Sequence, residues 1–375
     1  MVKDALPEDW TILRRWLPED LEARARRHGF VQRQRGLRDS ERWLRLILMH
    51  VGGGLSLAQT ALRARELGLA QISGVALFKR LRKAEGWLQD LCQHLLGEQQ
   101  RRLGGALWPR QYRVRVIDAT TVREPGNTGT DWRLHYSIRL PELTCAHYEL
   151  SDERGGEKLG RFTFEPGELI VADRGYSHRA GAAQVLASGA ALLLRWNPAV
   201  LPVRTPTGRP FNLLAKLRRL PRHQAGSWPV EFAYAGQTYP LRLCALAKGR
   251  VATARARRKT LAKAKRNGTN AQARSLEWAG YILVLTSLPE TFTAGAVLEL
   301  YRSRWQIELA FKRLKSLLGV GHLPKTQDLS ARPWMQAKIL SALLLERLLV
   351  EAKLFSPWGY ELRNLQPLAL GLGSA

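Results

Sequence analysis

The sequence predicts an α/β protein with a helical N-terminal part, and three patterns carry that prediction. Helical spacing dominates up to about residue 104, strand-like alternation begins at Gln111, and helix returns over Val297 to Leu318, which contain no Pro or Gly. Three strand patterns followed by alternating helix and strand predict an α/β layer with a mixed sheet.

Taken in order, Arg42 to Leu48 belong to one helix closed by the glycines Gly52 to Gly54. The stretch LSLAQTALRARELGLAQISGVALFKRLRK holds two short helical patterns separated by a turn at Gly68, with Ser73 as N-cap. That is compatible with a helix-turn-helix carrying Lys79, Arg80, Arg82 and Lys83, and equally with a helical hairpin of basic surface. Arg101 to Pro109 read as a connection. Strands are expected over 112–118, 132–139 and 143–150, a short helix near 156–163, a strand at 168–172, a helix over 181–188, and a strand in ALLLRW. Residues 197–284 are rich in Pro, Gly and β-formers and read as a β-rich insertion, with a hairpin about Gly236 and Gln237. They include a basic run, Lys248, Arg250, Arg255, Arg257, Arg258, Lys259, Lys263, Lys265 and Arg266, uninterrupted by any acid. YILVLTSLP is a further strand, 333–352 an apolar helix, and 353–375 a loosely held tail.

Lys and Arg number 59 against 32 Asp and Glu in 375 residues, a formal net charge of +27. Such an imbalance points to a polyanionic partner, of which nucleic acid is the commonest; such runs contact phosphates rather than bases, or stand solvated. No apolar run reaches the roughly 18 residues of a membrane-spanning helix, and MVKDALPEDW has no apolar signal region. Cys92, Cys145 and Cys244 lack metal-ligand spacing. Together these features predict a cytosolic protein with reduced cysteines.

The chemistry is expected at three carboxylates. Asp118 ends the strand pattern YRVRVID, and Asp173 ends ELIVAD. A carboxylate at the end of a buried strand needs a partner, because an isolated buried charge is costly. The third, Glu308, lies in YRSRWQIELAFKRLK. At about 100° per residue, Tyr301, Arg304, Glu308 and Lys315 fall within an arc of roughly 60°, with Lys312 close beside them. An i,i+4 ladder of Arg304, Glu308 and Lys312 is the simpler reading of that face. Two strand-end acids plus one on an amphipathic helix are, however, the hard oxygen ligands that a divalent-metal site needs.

Tyr301, Arg304, Glu308 and Lys315 form the pattern Y-x2-R-x3-E-x6-K, which resembles the signature of the DDE transposases of the insertion sequence 4 family. Asp118 in IDATTVREPG, followed by DWRLHYSI, and Asp173 in VADRGY resemble that family's first and second catalytic blocks. The likeness covers about residues 70 to 350. It implies an RNase H-like fold, with the first acid on the first strand and the second at the end of the fourth. Residues 106–196 and 285–352 would form that catalytic domain, and residues 1–105 a helical domain that binds DNA ends. Asp118, Asp173 and Glu308 would be both catalytic and metal-binding, with Mg²⁺ as the ion and Mn²⁺ substituting. Tyr301, Arg304, Lys312, Lys315 and Arg174, with Lys79, Arg80, Arg255, Arg257 and Arg258 further away, would contact DNA. The implied partners are double-stranded DNA, as terminal inverted repeats and as target, and a second copy of the chain on that DNA. The implied location is a prokaryotic cytoplasm, at the nucleoid.

Some relatives place a Trp before the LLTS-like strand to stack an extruded base; here Ile282 takes that position, and Trp278 is expected in the core. Two alternatives share the same residues. One is a transposase-derived DNA-binding protein without catalysis, and the other an RNase H-like nuclease that cuts without joining.

Overall fold

A computed structural model describes residues 10–31, 37, 39–102, 111–126, 131–140, 143–221, 224–321, 323–324 and 328–352. Of the expected connection over 101–109, residues 101 and 102 belong to the helix Glu85–Arg102, and 103–109, like the tail 353–375, lie outside the described residues. The chain divides into two compact units. One comprises Met1–Gly104, Val122–Gly129 and Arg313–Ala375, and the other Gly105–Thr121 and Thr130–Lys312.

The first unit opens with six helices: α1 (Trp10–Arg14), α2 (Leu21–Arg27), α3 (Ser40–Val51), α4 (Leu57–Glu66), α5 (Gly74–Leu81) and α6 (Glu85–Arg102). The starts of α3, α4 and α5 are set by side chains that satisfy the unpaired N–H groups of a first turn. Asp39 accepts from the backbone N–H of Glu41 and Arg42, Ser56 closes a capping box with Gln59, and the Ser73 hydroxyl accepts from Ala76 at 3.1 Å. Phe30 stacks on Trp87 at 4.4 Å and meets Trp43 edge-on at 6.4 Å. The last described helix of this unit, Asp328–Ala352, packs on α3 and α6 through a face that includes Met335, Ile339 and Leu340.

Arg80 is engaged inside this unit. Its guanidinium lies over the Phe30 and Trp43 rings and donates to the Phe30 carbonyl. Lys79 is left exposed at the surface.

The second unit is built on one eight-stranded sheet, in the order β3-β2-β1-β4-β5-β8-β7-β6. Its strands are β1 (Arg113–Val122), β2 (Trp132–Leu140), β3 (Thr144–Asp152), β4 (Glu168–Ala172), β5 (Ala191–Arg195), β6 (Ala225–Tyr234), β7 (Gln237–Ala247) and β8 (Tyr281–Thr286). β1, β4 and β5 run parallel, and β8, β7 and β6 continue the sheet antiparallel. Every residue of β4 is buried, as expected of a central parallel strand covered on both faces. Residues 197–284 therefore widen the sheet of the α/β layer through β6 and β7 rather than forming a layer apart.

Three local outcomes differ from expectation. The short helix near 156–163 reduces to a single 3-10 turn, Leu159–Arg161, in a glycine-rich stretch. The β6–β7 hairpin turns at Ala235 and Gly236, one residue earlier than expected, with φ of 49° and 78° as a two-residue turn of this hand requires. From Arg250 onward the basic run folds as α9 (Arg250–Arg266), a helix with no buried residue, which follows α7 (Arg179–Ala187) and α8 (Leu213–Arg218) in the chain, while Lys248 precedes it. Its Ala, Arg and Lys content favours helix.

Two histidines in this sheet make folding sensitive to acid. Burial, with Arg161 and Arg133 nearby, pushes His135 down to about 4, and burial with Arg115 nearby pushes His147 down to about 4. Both values lie below the ordinary value for histidine, so the unfolded chain binds more protons between the two. Stability is therefore expected to fall as pH drops from about 6.5 toward 4. Melting temperatures recorded across that window should show the fall, and a His135→Asn, His147→Asn variant should lose this part of it.

Candidate active site

Strand register brings the first two acids together. Ile117 of β1 pairs with Ala172 of β4, and these strands are parallel. One step further along the same register, Asp118 lies beside Asp173, on neighbouring strands spaced about 4.8 Å apart. The register of β4 with β5, Ala172 opposite Leu194, places Arg195 next in the row. The carboxyl ends of parallel strands are where open α/β sheets bind their ligands.

The third acid arrives on a helix that breaks where the sequence gives no Gly or Pro. α10 (Ala273–Trp278) precedes β8, and then α11 (Ala294–Arg302) ends and α12 (Trp305–Leu317) begins. At the junction the Ser303 hydroxyl donates to the Leu300 carbonyl at 2.6 Å, and Arg304 and Gln306 form i→i−3 backbone bonds. A hydroxyl competing for the helix carbonyls is a known cause of such a break. Tyr301 and Arg304 thus project from a tightened turn instead of from one straight stripe with Glu308.

That turn ties the acids together. The Tyr301 hydroxyl donates to Asp173 Oδ1 at 3.0 Å. Arg304 donates through Nη1 to Asp118 Oδ2 at 3.2 Å and through Nη2 to Glu308 Oε1. One guanidinium therefore touches carboxylates 190 positions apart in the chain, Asp118 and Glu308. The Asp118 side chain is 18% exposed and that of Glu308 59%, so the cluster opens to solvent on the Glu308 side.

The electrostatics separate the two strand-end acids. Burial raises Asp118 to about 6, assisted by the charges of Asp173 and Glu157 and opposed by the Ala119 N–H and Arg304. Burial acts on Asp173 in the same direction, but the Arg174 N–H, Arg304, Arg195 and Tyr301 outweigh it and hold this carboxyl below its usual range. Burial and the Asp173 charge drive the Tyr301 phenol well above its ordinary range, so it stays protonated and donates.

A fourth acid, Glu157, joins this cluster and carried no signal in the sequence. Burial raises it, Arg133 opposes, and Asp173 raises it further. Its carboxylate occupies the space beside Gly175 where a Cβ would stand, so the glycine of the VADRGY block makes room for it.

The other candidates lie where they could meet a ligand. Arg174 is exposed, and its guanidinium donates to Asn197 Oδ1 at 3.0 Å. Arg255, Arg257 and Arg258 are exposed on α9, with Arg257 also donating to the Leu276 carbonyl at 3.2 Å. Lys312 and Lys315 are exposed on α12. Trp278 is half-buried against the sheet core. Cys92, Cys145 and Cys244 are buried and form no disulfide.

The donor set is suited to a hard divalent cation, since it consists of carboxylate oxygens on rigid elements. Among the described residues no three of His, Cys, Asp or Glu stand close enough to hold an ion as they are. The Arg304 guanidinium supplies positive charge to Asp118 and Glu308 instead. No described helix is long and apolar enough to cross a membrane.

Residues 150–344 match the family model described as the transposase DDE domain. The putative transposase InsL for insertion sequence element IS186A of Escherichia coli K12 is 35% identical over 347 residues, covering 91% of this chain and 93% of its own. The transposase for insertion sequence element IS421 of Escherichia coli is 35% identical over 348 residues, with the same coverage. A piggyBac transposase synaptic complex with hairpin DNA aligns with 92% of this chain and 76% of its own at 9% identity and a TM-score of 0.47. With relatives at this identity over nine-tenths of its length, the chain belongs to the DDE transposases, as a member of the insertion sequence 4 group.

Proposed function

We propose that Asp118, Asp173 and Glu308 hold divalent cations and that the protein uses them to cut DNA at the ends of its element and join the freed 3′ ends to target DNA. The observation that carries this reading is the single guanidinium shared by Asp118 and Glu308, with Asp173 tied to the same turn through Tyr301. An RNase H-like core fits the placement of Asp118 on the first strand and Asp173 directly after the fourth. Mg²⁺ suits a site with few protein ligands, and Mn²⁺ substitutes for it.

Each residue then has a physical task. A pair of divalent cations bound there supplies the charge that activates the attacking oxygen and relieves the leaving one. Asp118, Asp173 and Glu308 would hold those cations, and Asp118 is the most enclosed of the three. Tyr301 holds Asp173 in one orientation. Arg304, which bonds both Asp118 and Glu308, would offer its two-pronged donor set to a DNA phosphate if those carboxylates held cations. Residues 1–105 are assigned to recognition of the DNA end, and two copies of the chain to its pairing with the second end.

A labelled duplex carrying one end of the element, mixed with a target plasmid and Mg²⁺, tests this reading. Joined product supports it. Cleavage without joining would favour the non-joining nuclease, and binding without cleavage the DNA-binding protein that has lost catalysis.

Helix α9 contributes phosphate contacts in the same account. Replacing Arg255, Arg257 and Arg258 by Gln is expected to weaken binding to all duplexes alike and to flatten its salt dependence, by up to about 0.9 in slope per lost contact. Filter binding across a salt series reads both quantities. Loss for one terminal sequence alone would show base reading instead.

A further inference from the structure

Beside the carboxylates, the second unit contains a cavity of about 420 Å³ whose lining includes Arg174, Arg195, Lys248 and Lys263 and no carboxylate. We propose that this cavity seats one phosphodiester of the bound DNA strand, held by those four cations next to the site of cutting. The proposal rests on the reading of Asp118, Asp173 and Glu308 as the cutting site, and adds to it a ligand position that those residues do not provide.

Strand geometry places the cavity. Arg195 follows Leu194 in the row that carries Asp118 and Asp173, and its Nη1 lies 3.6 Å from Asp173 Oδ1. Arg174 directly follows Asp173. The wall that leads away from the acids is therefore basic from its first residue. Lys263 comes from α9, so the cavity joins the strand ends to the exposed basic helix.

The charges are incompletely balanced. Among the described residues no carboxylate pairs with Arg174, Lys248 or Lys263. Arg174 and Lys248 turn instead to neutral oxygens, Asn197 Oδ1 at 3.0 Å and the Ala279 carbonyl at 2.8 Å. Burial, with Arg195 and Arg174 nearby, lowers Lys248 to about 8. Like charges crowded into a partly enclosed space raise its energy until an anion enters. Trp278, whose indole N–H is buried without an acceptor, supplies part of the wall. A dianionic or polymeric phosphate meets all of these demands: it brings negative charge, several acceptor oxygens and a size the cavity admits.

Lys248 gives the proposal a readout that a structural lysine would not move. A phosphate against it favours the charged amine, so DNA affinity at constant ionic strength should fall as pH rises through about 8. The charged groups that act on that amine are Arg195 and Arg174, and Lys263 lines the same cavity. Lys248→Arg should keep the affinity and lose the pH dependence, and Lys248→Gln should bind about tenfold more weakly at pH 7, the effect of one charge-assisted hydrogen bond.

The deciding experiment uses the full chain and duplexes carrying the end of the element, with methylphosphonate replacing one phosphate at a time near the cut. One position should cost the wild type about tenfold in affinity and cost a Lys248→Gln, Lys263→Gln variant nothing further. If every position costs both proteins equally, the cavity does not seat a DNA phosphate. If inorganic phosphate or a mononucleotide at millimolar concentration raises the melting temperature of the wild type and not of the variant, while the methylphosphonate profiles coincide, the cavity takes a free phosphate and the proposal is overturned. Loss of cleavage in Glu308→Gln is measured separately, so failure of the seat and failure of the cutting site are told apart.

Discussion

Glu308→Gln is expected to reduce cleavage of element-end DNA by roughly 10²–10³ or more, the range produced by removing one group that stabilises a charged transition state. Binding of the same DNA should persist or tighten, because the substitution removes a negative charge from a surface that meets phosphates. The fold should survive: the Glu308 side chain is 59% exposed, and its pair with Arg304 is worth at most about 1 kcal/mol. Cleavage, binding and melting temperature measured on one preparation separate the outcomes. If Glu308 served only an i,i+4 ladder with Arg304 and Lys312, the variant would melt slightly earlier and cut at the wild-type rate.

The second large effect is expected at Arg304. This guanidinium bonds Asp118, an acid 18% exposed, together with Glu308, and its charge also acts on Asp173. In Arg304→Ala those carboxylates face one another without their shared cation. Leaving such charged groups unsatisfied costs roughly 1–3 kcal/mol or more. The melting temperature without divalent ions should therefore fall by several degrees, and added Mg²⁺ should restore more of it than it adds to the wild type. Affinity for the DNA end should weaken, with residual cleavage recovered at high protein concentration. If Mg²⁺ shifts the two proteins equally, Arg304 does not occupy the place of the cations. Arg304→Lys gives a partial control, since it keeps the charge but loses the two-pronged geometry.

How much of this site could be read beforehand depends on the range of each interaction. Asp118 and Asp173 were legible because each ends an apolar run that reads as a strand, and parallel register does the rest. Glu308 was legible through its spacing from Tyr301 and Arg304. Glu157 was not: it lies in ERGGEKLG, where the sequence suggested only the start of a short helix near 156–163, and the feature that betrays it is the space left at Gly175 in another segment. The function of Arg304 as a bond to Asp118 depends on a contact across 186 positions, which no local pattern records. The break between α11 and α12 turns on one hydroxyl, Ser303, in a stretch whose composition otherwise favours a continuous helix. Arg80 sits in an apparently open basic helix, and only the assembly of Phe30 and Trp43 around it shows that its charge faces inward. The continuation of the sheet through β8, β7 and β6 was hidden for the same reason, since strand patterns do not name their neighbours.

The most direct test of the central claim is anomalous diffraction from crystals of the protein with end DNA and Mn²⁺. The account predicts manganese peaks among the Asp118, Asp173 and Glu308 carboxylates, with the Arg304 guanidinium withdrawn from Asp118. Manganese bound elsewhere, with Arg304 still joining Asp118 to Glu308 in a complex that cuts DNA, would contradict it.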